Sequence, residues 1–399
     1  MGYLRKVESV KIGQILKKNM PNGLLQKLRG IRGTWHLRNM DVLENVNQTN
    51  HDKYCLLAYI TTPFTHIAET HQNQWQVTEL ARIIGDMGYN VDVIDFRSSK
   101  KELPRKYDML VDIQPLADSP RLKWLQPNAK KIVYLTGCES RWANAEEEKR
   151  RNRVKEARQV FIPPEREATP LDKTVESFDA SFMIGNPYNW QTYQKAPEKM
   201  PQVYYIPNGG LVPVYAGGNR RSPHKFLFFA SSGQVHKGLD LLLEVFAKLC
   251  TDCELFVCSN FLNEEVFCKV YGQELFHTPN IHSIGFVDIQ GQQFREITET
   301  CGYVIIPSCS EGQIGSVLYP MARGCVPILS RACGYDEDEV IHLPDCSIET
   351  IAQYVKTYAE KDSIWLEEQS CYYHEIVAQR YSCEAFSQSV QEALQQVLH

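Results

Sequence analysis

The stretch "SCSEGQIGSVLYP", residues 308–320, sets a lone carboxylate, Glu311, between an apolar run and a turn punctuated by Gly312 and Gly315. The run before it reads as a strand and the segment after it as a helix, so the backbone amides of residues 313–317 fall at a helix start. A carboxylate at that point can accept two hydroxyls, while the amides of Ile314, Gly315 and Ser316 beside it take anion oxygens. The competing reading is a helix-start acid paired with the helix dipole, worth about 0.3–1 kcal/mol. Upstream, "FLFFASSGQVHKGLDLLLEVF" orders a strand, a loop of small residues including Gly233, the pair Lys237-Gly238 and a helix. Small residues let the backbone approach an anion, the helix start adds free N–H groups, and Lys237 adds a full charge, a combination suited to a pyrophosphate. The G-x-x-x-x-G-K-[ST] pattern of a P-loop is absent, and a solvated lysine in an ordinary turn is the other reading of Lys237.

Such residues need a frame that aims them at one place. From residue 54, "YCLLAYITTPF" reads as a strand, "NQWQVTELARIIGDMG" as an amphipathic helix closed by Gly88, and "YNVDVIDF" as the next strand. "YDMLVDI", "KIVYLTG" and "FDASFMIGN" continue as strands, with the charged helix "ANAEEEKRRNRVKEARQ" among them. The pattern stops at "QVYYIPNGGLVPVYAGGNRRSPHK" and restarts with "FLFFASS", "CELFVCS", "NIHSIGF", "GYVIIPS" and "CVPILS". Alternation of strand and helix predicts two doubly wound, mostly parallel α/β units. The expected division is a basic arm over residues 1–50, a first unit over 51–210, a second over 211–375, and a terminal helical segment over 376–399 that can cross back to the first. Ligand would then bind between the units, at the carboxyl ends of the strands.

The length of 399 residues suits two domains, and a net charge of −5 points away from nucleic acid as a partner. Residues 1–40 carry five Lys, four Arg and one acid, +8 in all, which leaves −13 on the remainder. In that arm Leu24, Leu28, Ile31 and Trp35 fall at helical spacing among the basic residues, which suits peripheral contact with an anionic membrane as well as an arm packed on its own protein. The thirteen cysteines lack the two C-x-x-C pairs of a zinc ribbon and read as free thiols of a reducing cytoplasm. No apolar run of spanning length and no secretory leader is expected.

Taken together, "YYIPNGG", "KGLDLLLEVF", "IHSIGFV" and "VIIPSCSEGQIGSVLYPMARGCVPILS" resemble the carboxyl-terminal half of the retaining glycosyltransferases of family 4. The likeness covers roughly residues 200–335, and the first half matches only in layout. It implies the GT-B fold, two Rossmann-like doubly wound domains facing each other across a cleft. By resemblance Lys237 contacts the donor diphosphate, Glu311 the donor sugar, the turn Gly312–Ser316 the phosphate, and the backbone of Phe286 and Val287 the nucleobase. Two positions depart from the family pattern. Tyr319 stands where the second glutamate of E-x7-E would accept the ribose hydroxyls, and Ser231 or Ser232 stands near the place of the usual arginine. A tyrosine offers one hydroxyl and is no bidentate acceptor.

The implied activity is metal-independent transfer of a sugar from a nucleotide sugar, UDP- or GDP-linked, to a glycan or lipid-linked acceptor, in surface polysaccharide or glycoconjugate synthesis, with no other cofactor. On the acceptor side, Thr61, Thr62, His66, His71 and Asn73 surround the end of the first strand. In "GCESRWAN", Glu139 is placed to orient an acceptor hydroxyl and Arg141 to hold an acceptor phosphate or carboxylate, unless they are a helix-start acid and a surface arginine. His66 and His71 lack the i,i+4 spacing of a helical metal pair, and Asp336-Glu337-Asp338 follows the last strand in an acidic run that reads as a solvated loop. The rivals are a catalytically inactive GT-B-like partner or binding subunit, and a nucleotide-sugar epimerase of the same fold. The protein is expected in the cytoplasm, with the arm a candidate for contact with the inner face of the membrane.

Overall fold

The computed structural model describes residues 42–65, 72–196, 198–210 and 220–399. The basic residues of the arm, His66 and His71 lie outside the described residues. The first six-stranded sheet comprises β1 (Lys53–Tyr59), β2 (Tyr89–Asp95), β3 (Tyr107–Asp112), β4 (Leu125–Leu135), β5 (Ala180–Ile184) and β6 (Val203–Ile206), in the order β2-β1-β3-β4-β5-β6. All its pairings are parallel, with Leu57 of β1 opposite Val93 on one side and Val111 on the other. A parallel sheet is covered on both faces, which is why β2 and β5 are buried along their whole length, Asn90, Asp92 and Asp95 of β2 included. The edge strand β6 was not legible as a strand. It is four residues long, lies between Pro201 and Pro207, and is recognised only by its pairing, Phe182 opposite Tyr204 with the rings 5.9 Å apart.

The second sheet comprises β7 (Ser222–Phe229), β8 (Glu254–Cys258), β9 (Ile281–Ser283), β10 (Cys301–Ile306), β11 (Val326–Ser330) and β12 (Ile341–Leu343), ordered β12-β11-β10-β7-β8-β9 and parallel throughout. Its core stacks Phe226 on Tyr303, ring centroids 4.8 Å apart, beneath the helix Leu239–Lys248, whose Leu242, Leu243 and Phe246 are fully buried. The helix Ser363–Arg380 packs on this sheet, and the helix Cys383–Leu398 that follows crosses back to the first. There Phe386, Val390 and Leu394 join the core of Leu57, Val77 and Ile84.

In each sheet the chain builds strands to one side of the first strand and then returns to its other side, so the order switches between β1 and β3 and between β7 and β10. Loops leaving adjacent strands in opposite directions open a crevice at such a point. The carboxyl ends of both sheets border one cleft between the domains. All thirteen cysteines are free. Among the described residues no helix is long and apolar enough to cross a membrane.

Candidate functional site

The cleft encloses a cavity of about 600 Å³ bordered by Tyr59, Thr136 and Ile184 from the first sheet and by Phe229, Cys258 and Val287 from the second. At the β7/β10 switch the two loops are pressed together by Gly238. Its φ is +80°, and a Cβ there would lie 2.5 Å from the Pro307 carbonyl oxygen, so glycine is required on both counts. The Lys-Gly pair is thereby divided in function: the glycine closes the gap between loops, and the lysine before it is turned into the cleft.

Lys237 Nζ lies 2.6 Å from Glu311 Oε1, with the lysine side chain buried and the carboxylate 9% exposed. Ser308 Oγ donates to the same oxygen at 3.0 Å, and Arg166 Nη1 reaches both carboxylate oxygens at 3.2 and 3.3 Å. His236 Nε2 stands 3.5 Å from Glu311 Oε1, and its Nδ1 lies 2.9 Å from Glu147 of the first domain. Burial works against the charged imidazole, but contacts with Cys309, Glu147 and Glu311 raise His236 to about 11, so it is a cation at neutral pH. Burial also pushes the Glu311 carboxyl up, yet Lys237, Arg166 and His236 hold it well below the ordinary carboxylate range. Lys237 is lowered by burial despite that partner. The arrangement is a fixed, ionised carboxylate ringed by cations, able to accept hydroxyls while the cations face an anion.

The loop after β7 does not offer the amides expected of it. Gly233 N donates to Glu264 Oε1 at 2.6 Å, Gln234 N lies 3.2 Å from Glu264 Oε2, and Gly233 does not border the cavity. The assignment of Gly233 to phosphate is therefore corrected: a buried carboxylate of this same domain already holds its N–H. The helix Gly315–Ala322 does remain open, with no side chain capping its start. Gly315 and Ser316 border the cavity, and the buried Ser316 hydroxyl has no hydrogen-bond partner among the described residues. Gly312, Ile314 and the half-buried Tyr319 border the cavity as well. On the opposite wall Phe286 is 75% exposed beside the buried Val287.

The domains are clasped around this loop. The Glu311 carbonyl accepts from Cys138 N at 3.1 Å and from Asn189 Nδ2 at 3.0 Å, and Asn208 Nδ2 donates to the Gln313 carbonyl at 2.6 Å. Gly312 permits the approach, because a Cβ there would sit 2.4 Å from the Ile184 carbonyl oxygen. Carboxamides then cover the first-domain wall: Gln72, Asn73, Gln76 and Asn208 border the cavity, with Gln76 Nε2 donating to Asn208 Oδ1 at 2.7 Å.

The remaining expected residues are placed elsewhere. Glu139 caps the helix Ser140–Arg158 by accepting from Trp142 N, and Arg141 pairs with Glu198 at 2.8 Å; neither borders the cavity. Their fold-internal reading, a helix-start acid and an ion-paired arginine, is the one the contacts fit. Thr61 and Thr62 lie at the turn Thr62–Thr65 and are not among the bordering residues, whereas Asn73 is. In the acidic run Glu337 pairs with Arg331 and Asp338 with Arg380, so it is ion-paired rather than simply solvated. His224, Asp252 and Cys253 bring ligand atoms within 4.8 Å of one another, away from the cavity lining. Arg166, His236 and Glu147 were not anticipated. His236 adjoins Lys237, which was a signal, but Arg166 lies in "FIPPEREATP", a segment without periodicity.

No family model matches the chain, and no curated protein matches it either. Solved structures do. Sucrose-phosphate synthase from Thermosynechococcus elongatus superposes with a TM-score of 0.58 at 14% identity, over 87% of this chain and 99% of that one. HepE of Anabaena, in complex with UDP and glucose, gives 0.54 at 12% identity over 86% and 100%. A mutant of S. aureus TarM in complex with fondaparinux, α-GlcNAc-glycerol and UDP gives 0.51 at 10% identity, over 73% of this chain. The match spans only 55% of the TarM chain. At these identities the likeness concerns the fold, and the chain has the GT-B architecture: two Rossmann-like domains whose parallel sheets face each other across a cleft.

Proposed function

We propose that this chain is a retaining, metal-independent glycosyltransferase of the family-4 type, which moves a sugar from a nucleotide diphosphate sugar to a glycan or lipid-linked acceptor. The observation that carries the reading is the clamped carboxylate. Glu311, fixed by Lys237 at 2.6 Å beside the uncapped start of the helix Gly315–Ala322, stands at the strand-order switch of the second domain. The complexes of the fold relatives with UDP support the same class of ligand.

In this reading Phe286 and Val287 hold the nucleobase, and Lys237 with the amides of Gly315 and Ser316 neutralises the leaving diphosphate. Stabilising charge that develops in a cleft shielded from water is where most of the acceleration arises. Glu311 accepts hydroxyls of the donor sugar and fixes its reacting carbon beside the diphosphate, so the acceptor attacks from the face the leaving group vacates. The carboxamides Gln72, Asn73 and Gln76 form the acceptor wall, suited to neutral hydroxyl-bearing substrates.

Tyr319 and the engaged amide of Gly233 favour a second reading, a partner subunit of the same fold without donor chemistry. Calorimetric titration of UDP, GDP, dTDP, CMP and ADP decides between them. Saturable binding of one diphosphate is expected, and no binding by any of them at millimolar concentration would overturn the enzyme reading. Release of free sugar or an epimer from a bound donor without acceptor would point instead to an epimerase.

A further inference from the structure

We infer that Arg166, brought into the cleft by the first domain, is the second cation for the donor diphosphate, in place of the arginine that the loop after β7 lacks. The inference rests on the nucleotide-sugar reading and specifies how that site is completed. Three observations carry it. The loop after β7 has only the neutral Ser231 and Ser232 before Gly233, and its Gly233 amide is taken by Glu264 at 2.6 Å, so it has little left for an anion. Arg166 lies over that same loop: its Cδ is 2.9 Å from the position a Cβ on Gly233 would occupy, and Gly233 holds φ +83°. Its guanidinium borders the cavity and uses one nitrogen, Nη1, on the two oxygens of Glu311. Among the described residues Nε and Nη2 have no partner, which leaves N–H donors of the planar fork available.

The charge balance points the same way. Glu311 needs one counter-cation, and Lys237 at 2.6 Å supplies it, while His236, 3.5 Å away, is balanced by Glu147 at 2.9 Å. Arg166, with its side chain 41% exposed, adds positive charge to a carboxylate that is already neutralised, and that surplus faces the cavity. A guanidinium matches two phosphate oxygens at once, and a diphosphate displacing the weak 3.2 Å contact would gain a bidentate partner. Because the residue belongs to the first domain and the helix start Gly315–Ser316 to the second, the diphosphate would join the two domains, and binding would favour closure.

The test compares wild type with Arg166→Ala and the charge-retaining Arg166→Lys, titrating UDP and GDP alongside uridine and guanosine. For the diphosphate that wild type binds, Arg166→Ala should weaken affinity by roughly tenfold to a hundredfold, Arg166→Lys should recover part of the loss, and the matching nucleoside should bind all three proteins equally. A side chain exposed to this degree leaves the fold intact, which unchanged melting temperatures will verify. Equal diphosphate affinity in wild type and Arg166→Ala overturns the assignment while leaving the nucleotide site standing. Wild type that binds none of the probes removes the proposed function and the inference with it. The measurement is repeated in a Glu311→Gln background: persistence of the Arg166→Ala loss supports direct contact, and its disappearance shows that Arg166 acts only through Glu311 and overturns the proposal.

Discussion

At the scale of single residues the site is a problem in burying charge. Glu311 and Lys237 are both largely withdrawn from water, and Lys237 depends on the charge of Glu311, whereas Glu311 has Arg166 and His236 beside it as well. The pH dependence follows from the direction of the Glu311 shift. Its folded value is well below normal, burial pushing it up but Lys237, Arg166 and His236 pulling it further down. A depressed carboxylate contributes stability that is fully present above its unfolded value, about 4.3, and is lost as pH falls through the folded value. Glu311→Gln should therefore cost on the order of 3 kcal/mol at pH 7, because Lys237 is left buried without its counter-charge. The gap between the two proteins should narrow as the pH is taken below about 4. Urea unfolding of both across that range measures it, and a gap that stays constant down to the acid limit would count against an ionised Glu311 in the fold.

At the scale of elements, two tight turns carry the site. Gly238 lets the loop after β7 meet the loop after β10, and an Ala there would combine a left-handed backbone at φ +80° with a Cβ 2.5 Å from Pro307 O. Gly238→Ala should destabilise by at least about 2 kcal/mol and, by parting the loops, withdraw Lys237 from Glu311, so that diphosphate affinity falls together with stability. A variant with wild-type urea midpoint and wild-type affinity would show that this glycine has no such role. The same elements explain what the sequence displays. Buried parallel strands such as β5 and β10 write themselves as apolar runs, and the helix after Gly238 as a block of leucines, so the two sheets were legible except for the short edge strands β6 and β12. Glu311 and Lys237 were legible because each sits directly after such a strand or before such a helix. Arg166 was not, since its position depends on an irregular loop between a helix and a strand that brings distant chain segments together. Glu264 was hidden for the same reason: its partners Gly233 and Gln234 are about thirty residues away in the chain. Glu139 and Arg141 show the converse, residue types that fit chemistry but serve a helix cap and an ion pair.

At the scale of the whole molecule, the chain ties its two domains together after completing both. The helix Cys383–Leu398 follows directly on the helix that packs against the second sheet, yet its Phe386, Val390 and Leu394 are buried in the first core. Phe386 meets Trp75 edge to face at 5.4 Å, and Ser387 Oγ donates to Glu79 Oε1 at 2.6 Å. Truncating one buried phenylalanine of this kind costs about 3–5 kcal/mol, so the first domain owes a large part of its stability to a segment anchored in the second. Contacts that cross the cleft act in the same direction: Arg153 with Asp240 at 2.7 Å, His236 with Glu147 at 2.9 Å, and Asn186 Nδ2 with the Tyr335 carbonyl at 2.9 Å. Two domains that share a core helix and a hydrogen-bonded interface should unfold as one cooperative unit. Scanning calorimetry of the full chain is therefore expected to give a single transition. Deleting residues 383–399 removes the shared helix, uncovers Trp75 and the side of the first core formed by the helix Gln72–Asp86 and β6, and leaves the second core untouched. The truncated chain should then show two transitions, the first domain melting early and the second close to the original temperature. A single transition that merely moves to lower temperature would mean that the cleft contacts alone couple the domains, and the crossing helix would lose its place as the tie between them.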